Sequence, residues 1–413
     1  MDFEALRKTD SELADLLDAE RRRQCETIDL IASENVCPLA VREAVSSTLT
    51  DKYAEGYPTH RCYGGCEVID DVERLAVERG KRLFGCEHIN VQPHSGSQAN
   101  MAVYLAALEP GATILAMALA HGGHLTHGMK ANFSGRLYKI ATYGVSRETE
   151  RIDYDALARQ AREVRPNLLI AGASSYPRAI DVARMAEIAA DVGAPLMVDM
   201  AHFVGLVVAG LHPDPVPVAD FVTSTSHTTL RGPRGGLIIS KARWAEAIDR
   251  AVFPGLQGGP LMHVIAGKAA AFALAETAEF KAYQVQVVAN ARAMAEEMVS
   301  LGYRIVSGGT DTHLLLVDLS PMNLTGLDAE RWLEEAGIVV NHNAIPFDAR
   351  PPTVASGIRL GTPSVTSRGA REPAVRQIAR WIDRILRADD PSDAAKATRD
   401  DVAAFCRSHP VPA

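Results

Sequence analysis

The chain has 413 residues, 47% apolar and 23% charged, with a formal charge of −8. That is the composition of a soluble globular protein long enough for more than one core, and its acidic balance supplies no basic field to gather nucleic-acid phosphates. No run of about 18 apolar residues is present to span a membrane.

In chain order, the opening MDFEALRKTDSELADLL is acidic and amphipathic rather than basic then apolar. No signal peptide is expected from it, and the chain is expected to stay in the cytoplasm. Residues 2–25 read as one polar helix. Val68 to Leu83 repeats apolar residues at helical spacing and stops at Gly85. Short apolar runs then alternate with helical segments. Asn167 to Ala171, Pro195 to Val198, Asp220 to Val222 and Gly236 to Ser240 read as strands covered on both faces. This alternation predicts an α/β layer fold with a mainly parallel sheet. Past Gly258-Gly259-Pro260 the pattern changes to one long Ala-rich helix over about 264–302. Strands at His313 to Leu319 and Ile338 to Val340 follow, then a helix from Glu372 to Leu386. Ala388 to Lys396 reads as a solvated linker into a short closing helix. The expected division is an N-terminal arm (1–45), a large domain (46–263), and a linking helix with a smaller C-terminal α+β domain (264–413). No internal repeat is present.

The six cysteines, at 25, 37, 62, 66, 86 and 406, are sparse and are expected as thiols. Cys62 and Cys66 have no second Cys or His pair at zinc-finger spacing. In open parallel sheets, ligands bind at the carboxyl ends of the strands. Polar clusters fall there in succession: Ser174-Ser175-Tyr176, Asp199-Met200-Ala201-His202 and Ser224-Thr225-Ser226-His227. Ser95-Gly96-Ser97 opens an apolar helix and offers free N–H groups to an anion such as phosphate. The same turn also serves as an ordinary helix N-cap. Asp199, ending a strand, suits a protonated pyridine nitrogen, although a satisfied strand-end carboxylate has the same sequence. His121-Gly122-Gly123-His124 with His127 has no carboxylate or Cys at ligand spacing, so no metal is expected and a ring stacked on a flat cofactor is the competing use. Arg359, flanked by Gly357 and Gly361, can take a carboxylate with two parallel hydrogen bonds.

Several blocks closely resemble the serine hydroxymethyltransferase family: LIASENVCP, YAEGYP, YGGCE, NVQPHSGSQAN, AHGGHLTHG, VDMAHFVGLVVAG, LRGPRGG, QGGP and GIRLGTP. The resemblance runs from about residue 5 to residue 385. It implies an aminotransferase-like enzyme of pyridoxal 5'-phosphate (PLP) fold type I, a homodimer with shared active sites. By that likeness Ser95, Gly96 and Ser97 hold the cofactor phosphate, His124 stacks on the ring and Asp199 holds its nitrogen. Ser174 and His202 contact the ring hydroxyl. Ser33, Tyr63 and Arg359 receive a small amino-acid substrate, and Glu55 is the acid/base group beside substrate and folate. Leu119, Leu125 and Asn343 line a tetrahydrofolate site, with 5,10-methylenetetrahydrofolate as the one-carbon donor.

The family's cofactor motif reads Thr-His-Lys-Thr, whereas this chain has Ser226-His227-Thr228-Thr229. His227 and Thr228 thus hold the catalytic position without an amine, and a hydroxyl forms no imine with an aldehyde. Lys241, the nearest lysine downstream, lies beyond the next strand. Cys62 replaces a tyrosine of the folate pocket and Thr353 a phenylalanine, each removing a stacking face. Four readings stay open. One is a lysine-less transferase that binds PLP non-covalently or as an external aldimine with an amino acid. Another is a paralogue acting without PLP on a different one-carbon acceptor. The others are a folate-independent aldolase of β-hydroxy or α-methyl amino acids, and a non-catalytic pseudoenzyme.

Overall fold

The computed structural model describes residues 3–412. Where one N-terminal helix is expected, there are two: α1 (Glu4–Thr9) and α2 (Ser11–Glu26). Asp10 separates them, because its backbone is extended and its carboxylate accepts from the Leu13 N–H to start the second helix. Residue 2 lies outside the described residues. Helix α3 (Glu67–Phe84) ends where Gly85 turns left-handed at φ 60°, the backbone for which glycine pays no steric penalty.

The large sheet has seven strands: β1 (His88–Asn90), β2 (Thr113–Met117), β3 (Lys139–Tyr143), β4 (Leu168–Ala171), β5 (Leu196–Asp199), β6 (Phe221–Thr225) and β7 (Gly236–Ser240). Their spatial order is β1-β7-β6-β5-β4-β2-β3. The pairs β6/β5, β5/β4, β4/β2 and β2/β3 are parallel, while β7 runs antiparallel to both its neighbours. Every residue of β4, β5 and β7 is buried, which explains their unbroken apolar runs. Helix α4 (Gly96–Ala107), between β1 and β2, packs on this sheet through Ala99, Ala102 and Val103. The fold is thus mixed α/β with a mostly parallel central sheet, as the resemblance implies for PLP fold type I.

The long helix expected over 264–302 is two, α5 (Met262–Ala275) and α6 (Ala278–Ser300). Thr277 divides them: its hydroxyl accepts from the Phe280 N–H and so caps a new helix. A second, antiparallel sheet follows: β8 (Arg304–Ile305), β9 (Leu314–Asp318), β10 (Asn341–Asn343) and β11 (Gly357–Gly361), in the order β8-β9-β11-β10. Leu315, Val317, Ile358 and Leu360 of this sheet share a core with Met294 and Met298 of α6 and with Ile378 and Ile382 of α7 (Glu372–Leu386). The segment read as a linker at 388–396 instead opens an 18-residue helix, α8 (Pro391–Ser408). Asp390 caps it, and Ala395, Thr398, Val402 and Phe405 bury one face. The N-terminal strand Ile28–Asp29 pairs in parallel with Ile338–Val339, and the Leu30 carbonyl accepts from the Gly361 N–H. These bonds lay the segment around Ser33 over the carboxyl ends of the large sheet.

Candidate functional site

A cavity of about 240 Å³ opens where β4, β5 and β6 end. Ser95, Ser97, His124, Ser174, Asp199 and Thr228 line it, with Gly96, Ser33, His202 and His227. Two larger cavities, of about 740 and 410 Å³, contain none of the site residues expected from the sequence.

One end suits an anion. Ser95 is the N-cap of α4, with extended backbone and a hydroxyl accepting from the Gln98 N–H at 3.2 Å. Gly96 and Ser97 line the cavity, and their first-turn N–H groups have no carbonyl within the helix to bond. The turn is closely backed: a Cβ on Gly236 would sit 2.3 Å from the Ser95 carbonyl oxygen, and one on Gly96 2.8 Å from Thr225 Cγ2.

At the other end Asp199 terminates β5. Its Oδ2 accepts from Asn100 Nδ2 at 2.9 Å and His127 Nε2 at 3.0 Å, and its Oδ1 from the Ala201 N–H at 3.1 Å. Burial opposes ionisation, but the hydrogen bonds from His127 and Asn100 outweigh it, holding the carboxyl well below the usual range. Asn100 is itself fixed, donating to Thr126 Oγ1 and accepting from Thr223 Oγ1. Burial lowers the His124 pKa, so its ring is a neutral face toward the cavity. His124, His127 and Asp199 bring their ligand atoms within 4.8 Å of one another. The sequence reading found no carboxylate beside these histidines. The fold supplies one from β5, 72 residues after His127.

Between these ends lies the turn at Thr228. This β-branched residue is buried at φ 55°, a left-handed backbone that such residues rarely adopt. Its hydroxyl donates to the Ser33 carbonyl at 3.1 Å and its own carbonyl accepts from Asn35 Nδ2 at 2.8 Å. Beside it His227 is pushed down to about 4 by burial, and its Nδ1 has no partner. Among the described residues no lysine lines the cavity. Lys241 donates to the carbonyls of Val216 and Pro217, and Lys268 to those of Val91, Pro93 and Gly236.

Arg359, central in β11, donates from Nη1 to the Ser174 carbonyl at 2.7 Å and from Nε to Asn341 Oδ1 at 3.1 Å. Burial lowers its pKa to about 10, still far above neutrality. The His202 ring stacks on His313 with centroids 5.6 Å apart, and both are held neutral by burial. Asn100, His127 and His313 were not among the residues expected at the site.

Six expected residues do not line this cavity within one chain: Glu55, Tyr63, Leu119, Leu125, Asn343 and Arg359, the last of which reaches its wall only through the Ser174 carbonyl. Glu55 accepts from the Tyr63 hydroxyl at 3.4 Å, Tyr53 meets Tyr63 edge-on at 5.2 Å, and Gly258 and Gly259 lie against this group. Tyr53, Tyr63, Leu119 and Leu125 are exposed, as are Cys62 and Thr353. Asn343 donates to the neighbouring Ala344 carbonyl at the edge of the small sheet. Residues 6–382 match the family model described as Serine hydroxymethyltransferase.

Proposed function

The chain belongs to the serine hydroxymethyltransferase family, and on that premise we propose a one-carbon transferase whose cofactor is held without a covalent tether. It moves a hydroxymethyl unit to or from the α-carbon of a small amino acid such as glycine or serine. One observation carries the reading: a helix-start anion cradle and a carboxylate held well below the usual range line one cavity together with Thr228 and no lysine among the described residues. The donor set fits a flat ligand with a phosphate at one end and a protonated ring nitrogen at the other.

Ser95, Gly96 and Ser97 bind the phosphate of PLP, Asp199 holds the ring nitrogen in its protonated form, and the neutral His124 ring covers a face. Ser174 and His202 flank the ring hydroxyl. Bound there, PLP supplies the electron sink that makes the amino acid's α-carbon acidic. Arg359 orients the substrate carboxylate together with Ser33. Thr228 would offer PLP no amine, so the cofactor would be held by these non-covalent contacts alone. Glu55 moves the proton of the substrate hydroxyl. Because Glu55 and Tyr63 sit apart from their own cavity, a homodimer in which they reach the cavity of a second copy completes the site. That assembly places Leu119, Leu125 and Asn343 beside a folate carrier.

Adding PLP and then glycine to the purified protein tests this. A near-visible band that develops only after glycine is the expected result, and its absence with both present removes the reading. Thr228→Lys is expected to turn the protein yellow with PLP alone and to enable serine cleavage. A colourless, inert variant means the rest of the site is not competent.

A further inference from the structure

A lysine with no part in these steps lies beneath the anion cradle. Lys268 on α5 is 1% exposed. Its Nζ donates to the carbonyls of Val91 at 2.6 Å, Gly236 at 2.7 Å and Pro93 at 3.1 Å. An ammonium has three protons and no acceptor, so these three bonds use its full capacity. The carbonyls belong to the two segments that shape the cradle. The Pro93 carbonyl also accepts from the Gly236 N–H at 3.0 Å, and Ser95 follows two residues later. Gly236 presses on the Ser95 carbonyl, as noted above. Gly235 leaves room for the lysine stem, since a Cβ there would meet Lys268 Cε at 2.6 Å. Residues 91–95 and 235–236, far apart in the chain, thus converge on one buried positive charge.

An apolar residue at 268 would take the lysine donor from three converging carbonyl oxygens in a dry site and leave Pro93 only its bond from the Gly236 N–H, which is costly. The arrangement resembles an alkali-cation site in which the protein supplies its own cation. We propose, resting on the cofactor reading above, that Lys268 is a positioning residue: a built-in monovalent cation that holds the Ser95–Ser97 turn in its anion-binding shape. Burial pushes the ammonium down to about 7, with Glu73 on α3 pulling the other way. The other charged groups around it are His94 on the cradle segment, Arg61 paired with Glu73, and Arg79, which donates to the Ala269 carbonyl one residue along α5.

Sulfate is the first probe, because its charge is constant over the range tested and it needs no cofactor chemistry. In Lys268→Ala, sulfate and PLP binding, measured by equilibrium dialysis, is expected to weaken on the order of tenfold. n-Propylammonium, which replaces the deleted stem and charge, is expected to restore much of it, while n-propanol is not. In the native chain sulfate affinity is expected to fall as pH rises above about 7. Lys268→Met removes that slope, whereas a change at His94 leaves it in place, and Glu73→Gln moves it to lower pH. Gly235→Ala, which displaces the lysine stem but keeps the charge, is expected to weaken sulfate binding too and serves if the alanine variant does not fold. The proposal is overturned by a folded Lys268→Ala with native affinity, by rescue with propanol equal to that with propylammonium, or by a flat native profile above pH 7. If sulfate binding depends on Lys268 but PLP and glycine give no band, the transferase reading fails while this one stands.

Discussion

Asp199 and Thr228 line the same cavity, yet their surroundings differ in kind. Around Asp199 the carboxylate oxygens, Asn100, His127 and Thr126 all have partners, and the network ties β5 and β6 to α4. Around Thr228 a β-branched residue sits in left-handed backbone next to a histidine with an orphaned ring nitrogen. The lesson is that the groups proposed to receive a flat anionic ligand hold one another in place and do not lean on residue 228. The departure at residue 228 falls in a turn that Thr228 ties to Ser33 and Asn35, and Thr229 to His202, Gly205 and Gln284.

Removing Asp199 should cost the fold more than any other change at the cavity. Asp199→Ala leaves the buried His127 and Asn100 donors unpaired, and a loss of about 3 kcal/mol or more in denaturant unfolding is expected. The folded carboxyl titrates below its unfolded value near 4. Its stabilisation is therefore complete above about pH 4 and is lost as pH falls through the lower folded value. The variant should show a shallower acid limb than the native chain. A cost under about 1 kcal/mol would mean that the network is not what fixes this end of the cavity.

The histidines behind the cavity sharpen the same contrast. His313 is buried with neither ring nitrogen bonded to another side chain, and burial pushes it down to about 3. For a base lowered by folding, the unfolded chain takes up the proton first, so stability falls as pH drops from about 6.5 towards 3. Between about pH 6.5 and 5 this group contributes a loss of up to about 2 kcal/mol. Urea unfolding of His313→Gln at the two pH values is expected to show that part of the slope removed. An unchanged slope would assign the acid sensitivity to His202, His212 or His227, which burial also lowers.

How much of this was legible in the sequence follows from the distances over which each signal acts. Local signals served well: β7 and α7 lie where apolar runs and helical spacing put them, and Ser95 and Asp199 stand at the element ends that ligand-binding sheets use. Breaks inside continuous helical patterns at Asp10 and Thr277 were missed, because one side-chain cap decides them while the apolar spacing runs on. At 391–393 a Pro-Ser-Asp run that resembles a linker is the capped first turn of α8. The partners of Asp199 lie 99 and 72 residues away on other elements, so strand order, not sequence spacing, brings them together. Lys268 and His313 were invisible for the same reason, each acting on segments far along the chain. Glu55 and Tyr63 do not line the cavity of their own chain, and Tyr63 is exposed beside the half-buried Glu55.

The smallest expected effect probes the turn itself. In left-handed backbone, alanine is disfavoured relative to glycine by about 1 kcal/mol or more, because Cβ crowds the following carbonyl. Elsewhere glycine is the worse residue, since it loses more freedom on folding, by roughly 0.5–1 kcal/mol. At position 228 both Thr228→Ala and Thr228→Gly lose the hydrogen bond to the Ser33 carbonyl, a cost of about 1 kcal/mol that cancels between them. Their difference therefore isolates the backbone, and Thr228→Gly should equal or exceed Thr228→Ala in stability by up to about 1 kcal/mol, opposite to the usual order. Chemical unfolding of the two variants measures it. Should alanine prove the more stable by its ordinary margin, the turn is not held in left-handed backbone in solution. The contrast between a satisfied floor and a strained turn would then fail at its second term.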